Sequence, residues 1–231
     1  DNVILLPPTY GMYGVSASIN NVEIRNVALT PDFQLQPEKI LSSADAQSKI
    51  LFICSPNNPS GNAVKREDIH YLLENFPGIV VVDEAYIDFS SEPSLIQELD
   101  QYPNLLVMQT FSKAWGLASL RLGMAFASPE LIAILNQIKP PYNISGLTQE
   151  TVLAALPNKG KVDELIQKIK EERTFLKQEL EKLPDVLKIH PSDANFLLVQ
   201  VSDANRFYEG LIEEKVIVRN RSTVLHCEGC L

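Results

Sequence analysis

Ile79-Val80-Val81-Val82-Asp83-Glu84-Ala85-Tyr86 decides how the chain is read. Its first four residues are apolar and β-branched, with no polar face, as in a strand covered on both sides. The run ends on a carboxylate and, three residues later, a phenol. Two more runs behave alike. Lys49-Ile50-Leu51-Phe52-Ile53-Cys54 passes into Ser55-Pro56-Asn57-Asn58-Pro59-Ser60-Gly61, which is dense in turn formers. Leu105-Leu106-Val107-Met108 leads to Thr110, Ser112 and Lys113. Between the first two strands, residues 65–76 place Ile69, Leu72, Leu73 and Phe76 on one helical face. Continuous apolar strands alternating with amphipathic helices predict an α/β fold: a mostly parallel sheet sandwiched by helices.

Working outward, residues 3–6 and 23–27 read as strands, with a helix over 10–20 between them. Pro37 opens a short helix. On the other side come a short helix over 93–99, a strand over 122–127 and a helix over 129–138. From about Thr148 the pattern becomes α+β: a long mixed-charge helix over 162–182, strands over 186–189 and 196–201, a helix over 204–214 and a strand over 216–219. The prolines of Lys139-Pro140-Pro141-Tyr142-Asn143-Ile144-Ser145 mark a boundary. Residues 1–147 are therefore expected to form a large domain and 148–231 a smaller C-terminal one. Asp1 opens inside a strand pattern and Leu231 closes on an apolar residue. The large domain is thus expected to be incomplete at its start and the small one at its end.

The chain has 231 residues, 45% hydrophobic and 21% charged, with a formal net charge of −9 and a pI near 4.9. An acidic balance argues against a nucleic-acid backbone or an anionic membrane as main partner, while leaving room for a small anionic substrate. No apolar run approaches the roughly 18 residues of a membrane span. The opening residues lack a charged-then-apolar pattern, so a secretory leader is not expected among them. Three cysteines, an odd number, suit a reducing, cytoplasmic setting. Cys227-Glu228-Gly229-Cys230, preceded by His226, has the gap of redox and zinc sites. It lacks a second ligand pair and reads as two incidental thiols, so no metal is expected.

In an open parallel sheet the carboxyl ends of the strands lie along one edge, and ligands bind there. That brings Asn58, Asp83, Tyr86 and Lys113 toward one pocket. A lysine just past a buried strand is penalised for its charge by desolvation and becomes an amine nucleophile toward carbonyls. Arg121, with the Thr110 and Ser112 hydroxyls, suits a phosphate. Together they suggest a phosphate-bearing aldehyde, pyridoxal 5'-phosphate. Asp83 can hold the ring nitrogen protonated, Asn58 and Tyr86 can bond the phenolic oxygen, and Tyr10 can stack on the ring. Each residue alone has a plainer reading, as a cap, a turn or a core aromatic. Their order on successive strands favours the pocket.

Ser55-Pro56-Asn57-Asn58-Pro59-Ser60-Gly61, Asp83-Glu84-Ala85-Tyr86 and Ser112-Lys113 followed by Arg121 resemble the aspartate-aminotransferase-like, fold type I pyridoxal-phosphate enzymes. Pro8-Thr9-Tyr10-Gly11-Met12-Tyr13 and Gly229-Cys230-Leu231 resemble the histidinol-phosphate branch of that superfamily. The resemblance implies a homodimeric transaminase exchanging an amino group between L-histidinol phosphate and 2-oxoglutarate (giving glutamate) in histidine biosynthesis. It implies Lys113 as the Schiff-base lysine, Asp83 at the pyridine nitrogen, and Asn58 and Tyr86 at the phenolic oxygen. Tyr10 would stack on the ring, and Arg121, Ser112 and Thr110 would bind the phosphate. The family also has an upstream phosphate-cradling loop, a partner-subunit tyrosine and a carboxylate-binding arginine soon after the Gly-Cys-Leu segment. These fall outside the 231 residues, so the residues alone are expected to bind cofactor weakly or not at all. Two alternatives share the motifs: a related aromatic aminotransferase or amino-acid phosphate decarboxylase, and an inactive fragment serving as an assembly module.

Overall fold

The computed structural model describes all residues, Asp1–Leu231. Its main sheet contains β1 (Asn2–Leu5), β2 (Glu23–Asn26), β3 (Ser48–Cys54), β4 (Ile79–Asp83), β5 (Leu105–Thr110) and β6 (Gly123–Ala127), in the order β2-β1-β3-β4-β5-β6. The first five run parallel, and β6 lies antiparallel to β5. Helices α1 (Met12–Ile19), α2 (Pro37–Ser43) and α3 (Arg66–Asn75) connect the parallel strands. After β6 come α4 (Pro129–Ile138), α5 (Gly146–Ala155) and α6 (Lys159–Leu180). A two-stranded antiparallel sheet, β7 (Val186–Ile189) and β8 (Val199–Val201), is followed by α7 (Ala204–Glu213).

The period of two along each strand sorts the side chains between two faces. Ile4, Leu51, Ile53, Val80, Val82, Leu105 and Val107 share one face with Ile40 of α2 and Ile69, Leu72 and Leu73 of α3. Most of these strand residues have no exposed surface, and each such burial is worth about 1.5–3 kcal/mol. The other face carries Val3, Leu5 and Cys54 against Tyr13 and Ala17 of α1. On β4 the alternation places Asp83 two residues beyond Val81, on the face of Cys54 and α1.

Chain order reverses at β1: β2 lies on one side of it and β3 on the other. Such a switch opens a crevice at the carboxyl edge. There Asn57 is held by Thr9 Oγ1, which donates to its Oδ1 (3.2 Å), while its Nδ2 donates to the Pro8 carbonyl (3.0 Å).

The structure departs from expectation in four places. Residues 93–99 form only a 3-10 turn, Leu95–Glu98, because the buried Glu84 carboxylate takes the Leu95 N–H (2.8 Å) and the Ser94 hydroxyl (2.5 Å). Residues 216–219 are not a strand. The edge of β8 they would need is taken by Gly229 and Leu231, whose backbones bond Val201 and Val199. The strand expected from Phe196 begins at Val199, since the Ser192 hydroxyl holds the Phe196 carbonyl in a turn (2.6 Å). Helix α5 carries no strong apolar stripe and was not expected. It starts on Ser145, whose hydroxyl accepts from Thr148 N–H.

Cys227 and Cys230 are fully buried in the main hydrophobic core. Burial pushes the Cys227 thiol up to about 12 and the Cys230 thiol upward as well.

Candidate active site

The carboxyl ends of β3, β4 and β5 and the start of β6 border a cleft of about 530 Å³. The register explains its walls: Cys54 stands beside Asp83, Asp83 beside Met108, and Thr110 beside Gly123. Tyr10, Asn58, Asp83, Tyr86, Thr110, Ser112, Lys113 and Arg121 all line this one cleft. A larger cleft of about 610 Å³ lies elsewhere and includes none of them. An apolar groove of about 800 Å³, lined in part by α6, β7, β8 and α7, also includes Asn58 and Lys113.

Asp83 is largely buried and well held. Its Oδ2 accepts from the Tyr13 hydroxyl at 2.6 Å and its Oδ1 from Ala85 N–H at 3.0 Å. Burial pushes its carboxyl above the ordinary range, opposed by the Tyr13 and Ala85 hydrogen bonds and the Lys113 charge. Asn58 Nδ2 donates to the Tyr86 hydroxyl at 3.2 Å. The Tyr86 ring is buried edge-on against Phe196 (5.2 Å). Tyr10, in contrast, is 47% exposed.

Lys113 corrects one expectation. It is exposed, so burial is not what prepares it. Its Nζ sits over the Tyr86 ring, 5.2 Å from the centroid, a cation–π placement. Arg121 is also exposed; it adopts a left-handed conformation (φ 53°), and its guanidinium donates to the Ala118 carbonyl at 3.1 Å. Thr110 Oγ1 donates to the Leu122 carbonyl (3.3 Å) and accepts from Ser112 N–H (3.0 Å), so it braces the loop that carries Lys113.

Sequence reasoning missed Tyr13, which bonds Asp83, and Cys54, which lines the cleft beside it. The available signals were the alternation along β3, which points Cys54 toward Asp83, and the three-residue step from Tyr10 to Tyr13 at the start of α1. Glu84 was also overlooked. It is 2% exposed and accepts from Ser94, Leu95 and Gln109, clamping the end of β4 to β5.

A crossover sheet with amine, carboxylate, phenol and amide at its carboxyl edge defines a class, and the chain belongs to the class I and II aminotransferase family, whose model matches residues 1–231. Within that class, the histidinol-phosphate aminotransferase of Cytophaga hutchinsonii is 53% identical over 231 residues, all of this chain and 66% of that protein. The chain thus spans about two thirds of the length of the curated relatives it matches. Among solved structures, histidinol-phosphate aminotransferase from Clostridium acetobutylicum superposes with a TM-score of 0.89 at 23% identity, covering 97% of this chain and 69% of that one. The Sinorhizobium meliloti enzyme of the same name, in complex with pyridoxal-5'-phosphate, gives 0.85 at 20% identity, covering 99% and 64%. No helix is long and apolar enough to cross a membrane.

Proposed function

We propose that the protein is a pyridoxal-phosphate-dependent transaminase passing the amino group of L-histidinol phosphate to 2-oxoglutarate, in histidine biosynthesis. One observation carries the reading: Lys113, Asp83, Asn58, Tyr86 and Arg121 border one cleft in a chain 53% identical to a histidinol-phosphate aminotransferase. The donor set fits the cofactor. It offers an amine for an aldehyde, a carboxylate for a ring nitrogen, two hydrogen-bonding groups for a phenolic oxygen and a guanidinium for a phosphate, in a cleft of ordinary ligand size.

When bound, pyridoxal phosphate supplies an aldehyde for amine exchange and a ring that accepts the electrons left at the substrate's amine-bearing carbon. The protein's groups do the rest. Lys113 Nζ would hold the cofactor through its aldehyde and would move the proton at the substrate's amine-bearing carbon. Asp83 would keep a proton on the ring nitrogen. Asn58 and Tyr86 would hold the phenolic oxygen, and Tyr10 would lie against the ring. Arg121, Ser112 and Thr110 would hold the phosphate.

The same reading includes a homodimer acting in the cytoplasm. It also includes a cofactor-binding unit over 1–147 and a smaller unit over 148–231. Supplying histidinol phosphate, 2-oxoglutarate and cofactor tests it: glutamate should form. Carbon dioxide release from an amino-acid phosphate, supplied in place of histidinol phosphate because the latter has no carboxyl group, would make the protein a decarboxylase instead. An aromatic amino acid preferred as donor would make it an aromatic aminotransferase. No turnover under any of these conditions would favour an assembly module.

A further inference from the structure

Tyr13 is an expensive residue for its place unless its hydroxyl has a task. The ring is 6% exposed, stacked on Phe52 at 4.8 Å and 12°, with Tyr10 edge-on at 5.5 Å. Phenylalanine would make the same ring contacts, and a buried hydroxyl is unfavourable without a partner. The partner is Asp83, whose Oδ2 accepts the phenol proton at 2.6 Å.

Three acidic groups meet here: Tyr13 from α1, Cys54 from β3 and Asp83 from β4. The Lys113 ammonium faces them from the loop after β5. Burial and the neighbouring acids push the Tyr13 phenol far above its ordinary range, and burial pushes the Cys54 thiol to about 12. Both therefore stay protonated, which leaves Asp83 as the one group of the trio able to carry a negative charge. The Cys54 thiol points its proton at the Pro56 carbonyl (3.5 Å), which leaves Tyr13 as the side-chain donor to the carboxylate. With the Ala85 N–H on Oδ1, both oxygens are pinned and each keeps a lone pair.

We propose that Tyr13 is a positioning residue for Asp83: its phenol, locked between Phe52 and Tyr10, fixes the plane of the carboxylate that faces the cleft and completes its hydrogen bonding. This rests on the reading of Asp83 as partner of the cofactor's ring nitrogen, which needs a charged, correctly turned carboxylate. Without Tyr13, burial acts on Asp83 with one less opposing hydrogen bond.

The test begins without cofactor. Carbon-13 NMR of aspartate-labelled protein, with Asp83→Asn to assign the signal, gives the Asp83 titration midpoint. Tyr13→Phe, which keeps the ring packing, should raise that midpoint by about one pH unit or more. Pyridoxal phosphate retention is then measured across the cycle Tyr13→Phe, Asp83→Asn and the double variant. Tyr13→Phe should weaken retention about tenfold beside Asp83 and by much less beside asparagine. An unmoved midpoint, or an equal loss in both backgrounds, overturns the proposal. Failure of the underlying functional reading looks different: Lys113 then takes up no pyridoxal phosphate in any variant, while the cofactor-free titration still judges Tyr13.

Discussion

Asn58 donates its side-chain amide to the Tyr86 hydroxyl at 3.2 Å, tying the turn after β3 to the turn after β4. A ligand oxygen placed between them would accept from both, so the two groups act as a unit. Tyr86→Phe and Asn58→Ala should each weaken pyridoxal phosphate retention by about tenfold, the scale of one hydrogen bond to a charged group. The double variant should lose clearly less than the product of the two. Equilibrium dialysis of the four proteins gives the answer, and strict additivity would show that the residues do not share a ligand atom.

In the proposed function Lys113 provides the amine. Its Nζ lies over the Tyr86 ring, so Lys113→Arg can keep a cation in place while removing the nucleophile. Both Lys113→Arg and Lys113→Ala should abolish the covalent cofactor adduct. Borohydride reduction followed by mass spectrometry reads this directly, with the labelled peptide carrying residue 113 only in the parent protein. Turnover should fall by several orders of magnitude in both variants. Normal turnover in either would rule out Lys113 as the attachment point.

Asp83→Asn should act in opposite directions on stability and on rate. Burial raises the folded-state pKa of Asp83 above its ordinary 3.8, so between those values the folded chain binds more protons than the unfolded one. Ionising Asp83 therefore destabilises the cofactor-free fold. The penalty is absent below 3.8 and complete once the pH passes the raised value. The variant should melt higher than the parent at neutral pH, and the two should converge in acid. Turnover at neutral pH should drop by about a hundredfold or more, because asparagine cannot keep the ring nitrogen charged. Thermal melts from pH 3 to 8 check the first part, as an approximate working range around the carboxylate window. An unchanged rate would sink the second.

Gly78 tests the sheet away from the cleft. A Cβ there would run into the backbone carbonyl of Lys49, where β3 and β4 begin to pair. Gly78→Ala has to push the strands apart, at a cost of about 1–3 kcal/mol. For a chain of this size that lowers the melting temperature by about 2–4 °C per kcal/mol. The cleft at the opposite ends of the strands should be left intact. A melting temperature equal to the parent's would contradict the close approach.

Much of the site was legible because its residues follow long apolar runs. In a parallel sheet the end of each such run is fixed to one edge by strand direction alone, which brought Asn58, Asp83 and Lys113 together from spacing. The failures have equally local causes. Val216-Ile217-Val218 has strand composition, but a strand exists only where a neighbour offers an edge, and Leu231 holds that edge. Lys113 was expected to be desolvated, and one-dimensional sequence does not tell whether the loop beyond a strand folds inward. Tyr13 and Glu84 lie in segments whose burial depends on partners 70 and 25 residues away.

Apolar periodicity and turn residues by themselves set the main strands, their helices and the edge at which chemistry collects, because side-chain alternation and strand polarity are properties of the local chain. Packing alone decided which phenol bonds Asp83, which carboxylate clamps β4 to β5, and where the Lys113 amine comes to rest. Those outcomes depend on distances between groups far apart in sequence, and hydrogen bonds reward them only within a few tenths of an ångström.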